Sequence, residues 1–217
     1  MAIFSGPNLV TDGLILYLDA ANTRSYPGSG TTWSDLSSNG TDATLVNNTG
    51  LSGGHMSFDG ADDYVSVTPA SAGTSWTFSA WAQSDVNNSA WHDLWHEESG
   101  HRHTMALVTS TGVWMFYDNG YHYSTFTLTD TNWHNYVVTQ AGTAVSFYVD
   151  GTAYGTSTSA GWQLGGDDAV ISRYPVSGGS ILEEWDGFID IIMIHSQPLS
   201  AAEVLQNFDA HKGRFGL

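Results

Sequence analysis

The chain of 217 residues contains no cysteine. Disulfides, thiolate metal sites and cysteine nucleophiles are therefore excluded. Basic residues are almost as scarce: five Lys and Arg stand against 22 Asp and Glu, a formal net charge of −17. Affinity for nucleic acid rests on Lys and Arg displacing counterions from phosphates, and anionic lipid headgroups call for the same residues. Neither is an expected partner. No apolar run approaches the length of a bilayer span. The N-terminus, MAIFSGPNLVTDG, has no basic stretch leading into a long apolar core, so no signal peptide is expected. The sequons at Asn39, Asn47 and Asn87 then lack a secretory context.

What is present is material for a core. Hydrophobic residues make up 41% of the chain and aromatics 13%, enough to exclude disorder. WTFSAWA (76–82) and AVSFYVD (144–150) carry apolar residues at every other position, the period of half-buried strands. LILYL (14–18), DYVSV (63–67), MALVT (105–109), VWMFY (113–117), WHNYVVT (133–139) and FIDIIMI (188–194) are further strands. Turn signals separate them: STG at 110–112, DNG at 118–120, DG at 150–151 and SGG at 177–179. Short strands at this spacing predict an all-β sandwich of roughly a dozen strands in one domain over 1–217. One helix is predicted in QPLSAAEVLQNFDAHKG. Ser200 and Glu203 form a capping box, Leu199 and Val204 a staple, and Val204, Leu205 and Phe208 the packed face. The tail KGRFGL (212–217) is expected to dock on the sandwich or on a partner chain.

Three stretches carry a resemblance. GLILYLDAANTRSYPGSGTTWSDLSSNGTDATL, MSFDGADDYVSV and WTFSAWAQ resemble the opening of laminin G-like, concanavalin A-type lectin/glucanase domains. NWHNYVVTQAGTAVSFYVDGTAYGT is similar to that family's central hairpin, and GFIDIIMIHSQPLSAAEV to its closing strand and helix. The resemblance spans about Gly13 to His211 and implies a two-sheet jelly roll, often carrying calcium and usually binding glycans or proteins. In that pattern Trp133 is buried and His134 bonds to a neighbouring loop. The two ends, GPNLVTDGLILYLDAAN and LSAAEVLQNFDAHKGRFGL, are similar to virion proteins of tailed, particularly marine, bacteriophages.

Candidate chemistry concentrates in WHDLWHEESGHRH (91–103). Its His96 and His101 are five apart, not the four that a zinc-protease helix requires. A looser transition-metal site could draw on His92, His96, His101 and His103. A plainer reading puts Trp91 and Trp95 in the core and leaves the histidines solvated. The reading favoured for function is a sugar-binding surface. Sugar rings stack on aromatic faces while their hydroxyls bond to polar side chains. Its residues are Trp91, His92, Trp95, His96, His101 and His103, joined by Asn119, Tyr121, His122 and Tyr123 of DNGYHYS.

The acidic turn FDGADDYV offers Asp59, Asp62 and Asp63 to a calcium ion, with Asp190 joining if the fold allows. The alternative is a turn in which Asp side chains bond backbone amides. Asp167 and Asp168 are a further ligand source or an ordinary turn. Glycoside hydrolysis needs two facing carboxylates. The strand GFIDIIMIHS supplies only Asp190, with Ile192 and Ile194 in the partner positions, and Glu183, Glu184 and Asp186 do not restore the alternation. No Gly-x-Ser-x-Gly elbow introduces a Ser-His-Asp triad.

The expected function is a non-catalytic recognition or adhesion module, binding glycan or host polysaccharide on the exterior of a phage virion. Other virion proteins and further copies of the chain would be its neighbours there. The alternatives are a capsid decoration protein that binds no sugar, and a glycan-cleaving enzyme.

Overall fold

The computed structural model describes residues 6–47, 49–84, 91–97, 103–108, 111–173 and 184–217. Glu98, His101 and Glu183, the sequon at Asn87 and the Ser-Gly-Gly turn at 177–179 lie outside these. The first half of the chain forms β1 (Leu14–Asp19), β2 (Thr32–Trp33), β3 (Ala43–Val46), β4 (Gly50–Ser52), β5 (His55–Asp59), β6 (Tyr64–Val67), β7 (Ser75–Ser84) and β8 (Trp91–Glu97). The second forms β9 (Thr104–Val108), β10 (Val113–Tyr117), β11 (Tyr121–Thr127), β12 (His134–Ala141), β13 (Ala144–Val149), β14 (Thr152–Thr158), β15 (Ala169–Ile171) and β16 (Asp186–His195). The helix α1 (Ala201–His211) and a 3₁₀ turn, Lys212–Arg214, close the chain. Sixteen strands among the described residues replace the expected dozen. Several of the extra ones, such as β2 and β15, are too short for a two-residue period to show.

Two antiparallel sheets stack face to face. The first runs β14-β13-β12-β7-β16-β5-β4, with β1 also pairing β16, and the second runs β11-β10-β9-β8-β15-β6-β3-β2. Alternation along β7 explains the layering. Trp76, Phe78, Ala80 and Ala82 enter the core between the sheets, while Trp81 points the other way into a second apolar cluster.

That second cluster covers the outer face of the first sheet. Trp81 is stacked between Phe208 of α1 (5.5 Å) and Phe215 of the tail (4.2 Å). The capping box forms as the sequence predicts, and Leu199 and Val204 share one cluster with Val137 and Tyr148. Leu205 departs from expectation: it is 45% exposed, lying over Gly151 rather than in the core. Trp133 is half-buried instead of internal, because its ring sits on this outer face against Phe215 (4.7 Å) and His55 (4.8 Å).

A bulge in β16 builds the anchor of the tail. The register steps between Ile189, opposite Ala82, and Ile191, opposite Trp81, which makes Asp190 the extra residue. Asp190 accepts from the Met56 amide (3.0 Å) and meets His55 Nδ1 (2.6 Å). The Arg214 guanidinium donates to Asp190 (3.2 Å) and to Asp19 (2.7 Å). Asp19 also accepts from Tyr17 Oη, whose pKa is driven far up by burial and by that neighbouring carboxylate. The tail therefore docks on the sandwich. With the helix and tail on one sheet, the outer face of the second sheet is left open at its two ends, at Thr32 and Thr44 and at Tyr121 and Tyr123, while Asp93, His96, Thr104, Ala106 and Met115 in its middle are buried.

Candidate functional site

One row of cross-strand partners crosses that face from edge to edge. Successive pairings link Thr32, Thr44, Ser66, Val170, His96, Thr104, Tyr117 and Tyr121 across all eight strands. Directly opposed residues in a sheet share a face, so the row is one track, exposed at both ends and buried in its middle at His96 and Thr104. Hydroxyls dominate one end and aromatic rings the other.

The aromatic end is a shelf. Tyr121 and Tyr123 are 57% and 50% exposed, values that leave their ring faces open to a ligand. Their rings lie 6.1 Å apart and 14° from parallel. Tyr117 meets Tyr121 at 5.0 Å and Trp91 meets it at 5.6 Å. Trp91 stands on β8 and Tyr121 on β11, three strands away, about 14 Å in a flat sheet. The two side chains reach toward each other across the intervening strands and close the shelf. Asn119 is exposed in the turn beside it, in a left-handed conformation (φ 71°) that asparagine tolerates.

The hydroxyl end is a cavity of about 500 Å³ lined by Asp42, Thr44, Tyr64, Ser66, Asp168 and Arg173, among others. Arg173 stacks on the Tyr64 ring at 4.8 Å. Both acids are engaged: Asp168 accepts from Thr68 Oγ1 (2.6 Å) and Asp42 from the Asp35 amide (2.9 Å). Apart from Asp168, these residues were not among those the sequence singled out. They come from strands distant along the chain, and only the scarcity of arginine could have pointed to Arg173.

The histidine-rich stretch largely belongs inside. His92, Trp95, His96 and His103 are at most 2% exposed, which removes them from any sugar-contacting surface and contradicts the solvated reading of the histidines. β8 carries a bulge between Asp93 and Trp95, so that Leu94 and Trp95 both enter the core. His103 stacks on Phe116 (5.6 Å) and meets Glu97 Oε2 (3.2 Å). Glu97 Oε1 accepts from the Trp95 indole (3.3 Å) and the Gly165 amide (2.9 Å). His96 lies on the track but bonds Thr104 Oγ1 (2.8 Å). Burial lowers the pKa of His92. Of the predicted sugar surface, Trp91, Asn119, Tyr121 and Tyr123 remain.

His122, between the two exposed tyrosines, points the opposite way. It is 8% exposed and contacts Asp118 (2.6 Å) and Ser157 (2.8 Å), which takes it off the predicted sugar surface. These bonds tie β11, at the edge of one sheet, to β14 at the edge of the other. His134 behaves as expected, bonding Asp150 (2.7 Å) and Asp130 (3.1 Å). Burial would lower its pKa, but the two carboxylates override this and hold it above the ordinary histidine value.

The rim carries the acidic cluster. One carboxylate oxygen each of Asp59, Asp62 and Asp63 lies within 4.8 Å of the others, the one such group of potential metal ligands among the described residues. Asp190 does not join it, being committed to Met56, His55 and Arg214. Glu184 sits close by instead. Its Oε1 is buried with no hydrogen-bond partner among the described residues, and burial, aided by the three aspartates and opposed by Arg173, pushes its pKa up to about 7. An all-oxygen donor set of this kind suits calcium.

Comparison with known proteins agrees with this architecture. No curated protein matches the chain in sequence. Among solved structures, the binding domain of botulinum neurotoxin serotype D/C superposes with a TM-score of 0.71 at 13% identity, covering 91% of this chain and 52% of that one. That of botulinum neurotoxin type C, whose cell entry is described as dependent on two ganglioside molecules, gives 0.71 at 15%, covering 93% and 52%. Trypanosoma rangeli sialidase gives 0.70 at 16%, covering 95% of this chain and 34% of the enzyme. The chain thus spans about half the length of the toxin domains and a third of the sialidase. At such identities the likeness is one of fold. The sequence profile described as the concanavalin A-like lectin/glucanases superfamily matches residues 59–205, and the chain belongs to that superfamily.

Proposed function

We propose that the protein is a non-catalytic glycan-recognition module whose ligand lies on the outer face of the second sheet. The observation that carries this reading is the shelf of Trp91, Tyr117, Tyr121 and Tyr123. Aromatic rings left half exposed at one end of the track, with hydroxyls at the other, match the amphipathic surface of a saccharide. Superposable toxin domains that engage gangliosides support the same reading. The setting we favour is the exterior of a phage virion. The resemblance of both chain ends to phage virion proteins supports it, as does a charge of −17, which repels packaged DNA. Other virion proteins and further copies of the chain would be its partners there.

The test is a glycan array read with the wild type and with Tyr121→Ala and Tyr123→Ala. Each substitution should weaken the strongest hit by roughly tenfold, as loss of an aromatic anchor does. An array with no hit, together with tighter capsids on adding the protein, would favour the decoration role instead.

Calcium would be held by Asp59, Asp62 and Asp63 with Glu184 beside them, where it would fix the rim next to the cavity. Millimolar calcium should raise the melting temperature of the wild type, and Asp62→Asn should reduce that gain. An equal response to magnesium, or none, would count against the site.

A further inference from the structure

Resting on the glycan reading above, we infer that the cavity at the hydroxyl end of the track is a subsite for a sugar bearing a single carboxylate, with Arg173 as its anion partner. Arg173 is one of five basic residues in a chain with 22 acidic ones. It is held in place by the Tyr64 ring, and among the described residues its Nε finds no hydrogen-bond partner. A guanidinium fixed by stacking at the wall of a cavity is the group that pairs with a planar carboxylate through two parallel bonds.

The rest of the lining sets the class of ligand. Thr44 and Ser66 are opposed on β3 and β6 and supply hydroxyls from a rigid sheet. Asp42 and Asp168 accept hydrogen bonds already and retain lone pairs for sugar hydroxyls. These two acids also make the cavity hostile to dense negative charge, so a sulfated chain or a polyphosphate is excluded by repulsion. One positive group among hydroxyls and acceptors fits one carboxylate among hydroxyls. The volume of about 500 Å³ accommodates one or two sugar rings.

The test measures affinity by NMR titration. The probes are methyl β-glucuronide, methyl β-glucoside, N-acetylneuraminic acid and the methyl ester of the last. The carboxylated member of each pair should bind about tenfold or more tightly than its uncharged counterpart. Arg173→Gln should abolish that difference, and Arg173→Lys should retain part of it. The pair showing the larger difference identifies a hexuronic or a nonulosonic acid as the preferred source of the carboxylate. Thr44→Val, an exposed change that leaves the guanidinium in place, should weaken all four probes alike. Equal binding within each pair, or no response to Arg173→Gln in a variant that melts like the wild type, would overturn the inference. If array hits persist through the tyrosine shelf while none of the four probes binds, the subsite fails and the glycan reading stands. If both signals are absent, the two fail together.

Discussion

Replacing Arg214 by alanine should cost about 3 kcal/mol of stability, although the residue lies four positions from the end of the chain. The guanidinium is the partner of two carboxylates at once, Asp19 at 2.7 Å and Asp190 at 3.2 Å. The Asp190 side chain is fully buried and that of Asp19 is 7% exposed, so both would remain charged in a site that water reaches poorly. Removing one partner of a buried pair costs about 3–5 kcal/mol, and the lower figure applies because the Arg214 side chain is itself a quarter exposed. Arg214→Lys should lose about half as much, keeping the charge but not the two-pronged geometry. Combining Arg214→Ala with Asp190→Asn should recover part of the loss, since the stranded charge is then gone. Urea denaturation at pH 7 reads all three. A loss below about 0.5 kcal/mol for Arg214→Ala would mean that the tail does not dock as described.

Glu97→Ala should be at least as damaging, at about 4 kcal/mol, because one buried carboxylate satisfies three separate donors. It binds the Trp95 indole, the Gly165 amide and the His103 ring, and is itself 1% exposed. Truncation strands each donor in the core and leaves a cavity beside Trp95. Glu97→Gln keeps an acceptor and most of the volume and should lose about half as much. Near-ultraviolet circular dichroism should report the change, since Trp95 and Trp76 pack around this network: Trp95 bonds Glu97 directly, and Trp76 meets His103 at 6.0 Å. Full retention of stability in Glu97→Ala would return the histidine-rich stretch to the surface, where the sequence first suggested it.

That stretch shows where sequence reading runs out. β7 is legible because its alternation is unbroken and one face is wholly apolar. The start of α1 is equally legible, because a capping box is written in four consecutive residues. β8 is not. The bulge near Leu94 shifts the phase midway, and the histidines look solvated although the hairpin itself satisfies them, His96 through Thr104 and His103 through Glu97. Asp190 misleads for the same reason, since a bulge turns it toward Arg214 instead of the acidic rim. Half of the aromatic shelf was legible from DNGYHYS, where exposed and buried positions alternate. The cavity was not, because Thr44, Ser66 and Arg173 become neighbours only through the strand order β15-β6-β3.

Chemical-shift mapping with the strongest-binding array oligosaccharide locates the ligand on the outer face of the second sheet or away from it. Perturbations should appear at the exposed ends of the track, at the rings of Tyr121 and Tyr123 and at the side chains of Ser66 and Arg173. Leu205 and Phe215 on the far side should stay unmoved. Shifts centred on the helix and tail, with the tyrosine resonances unchanged, would contradict the proposed site.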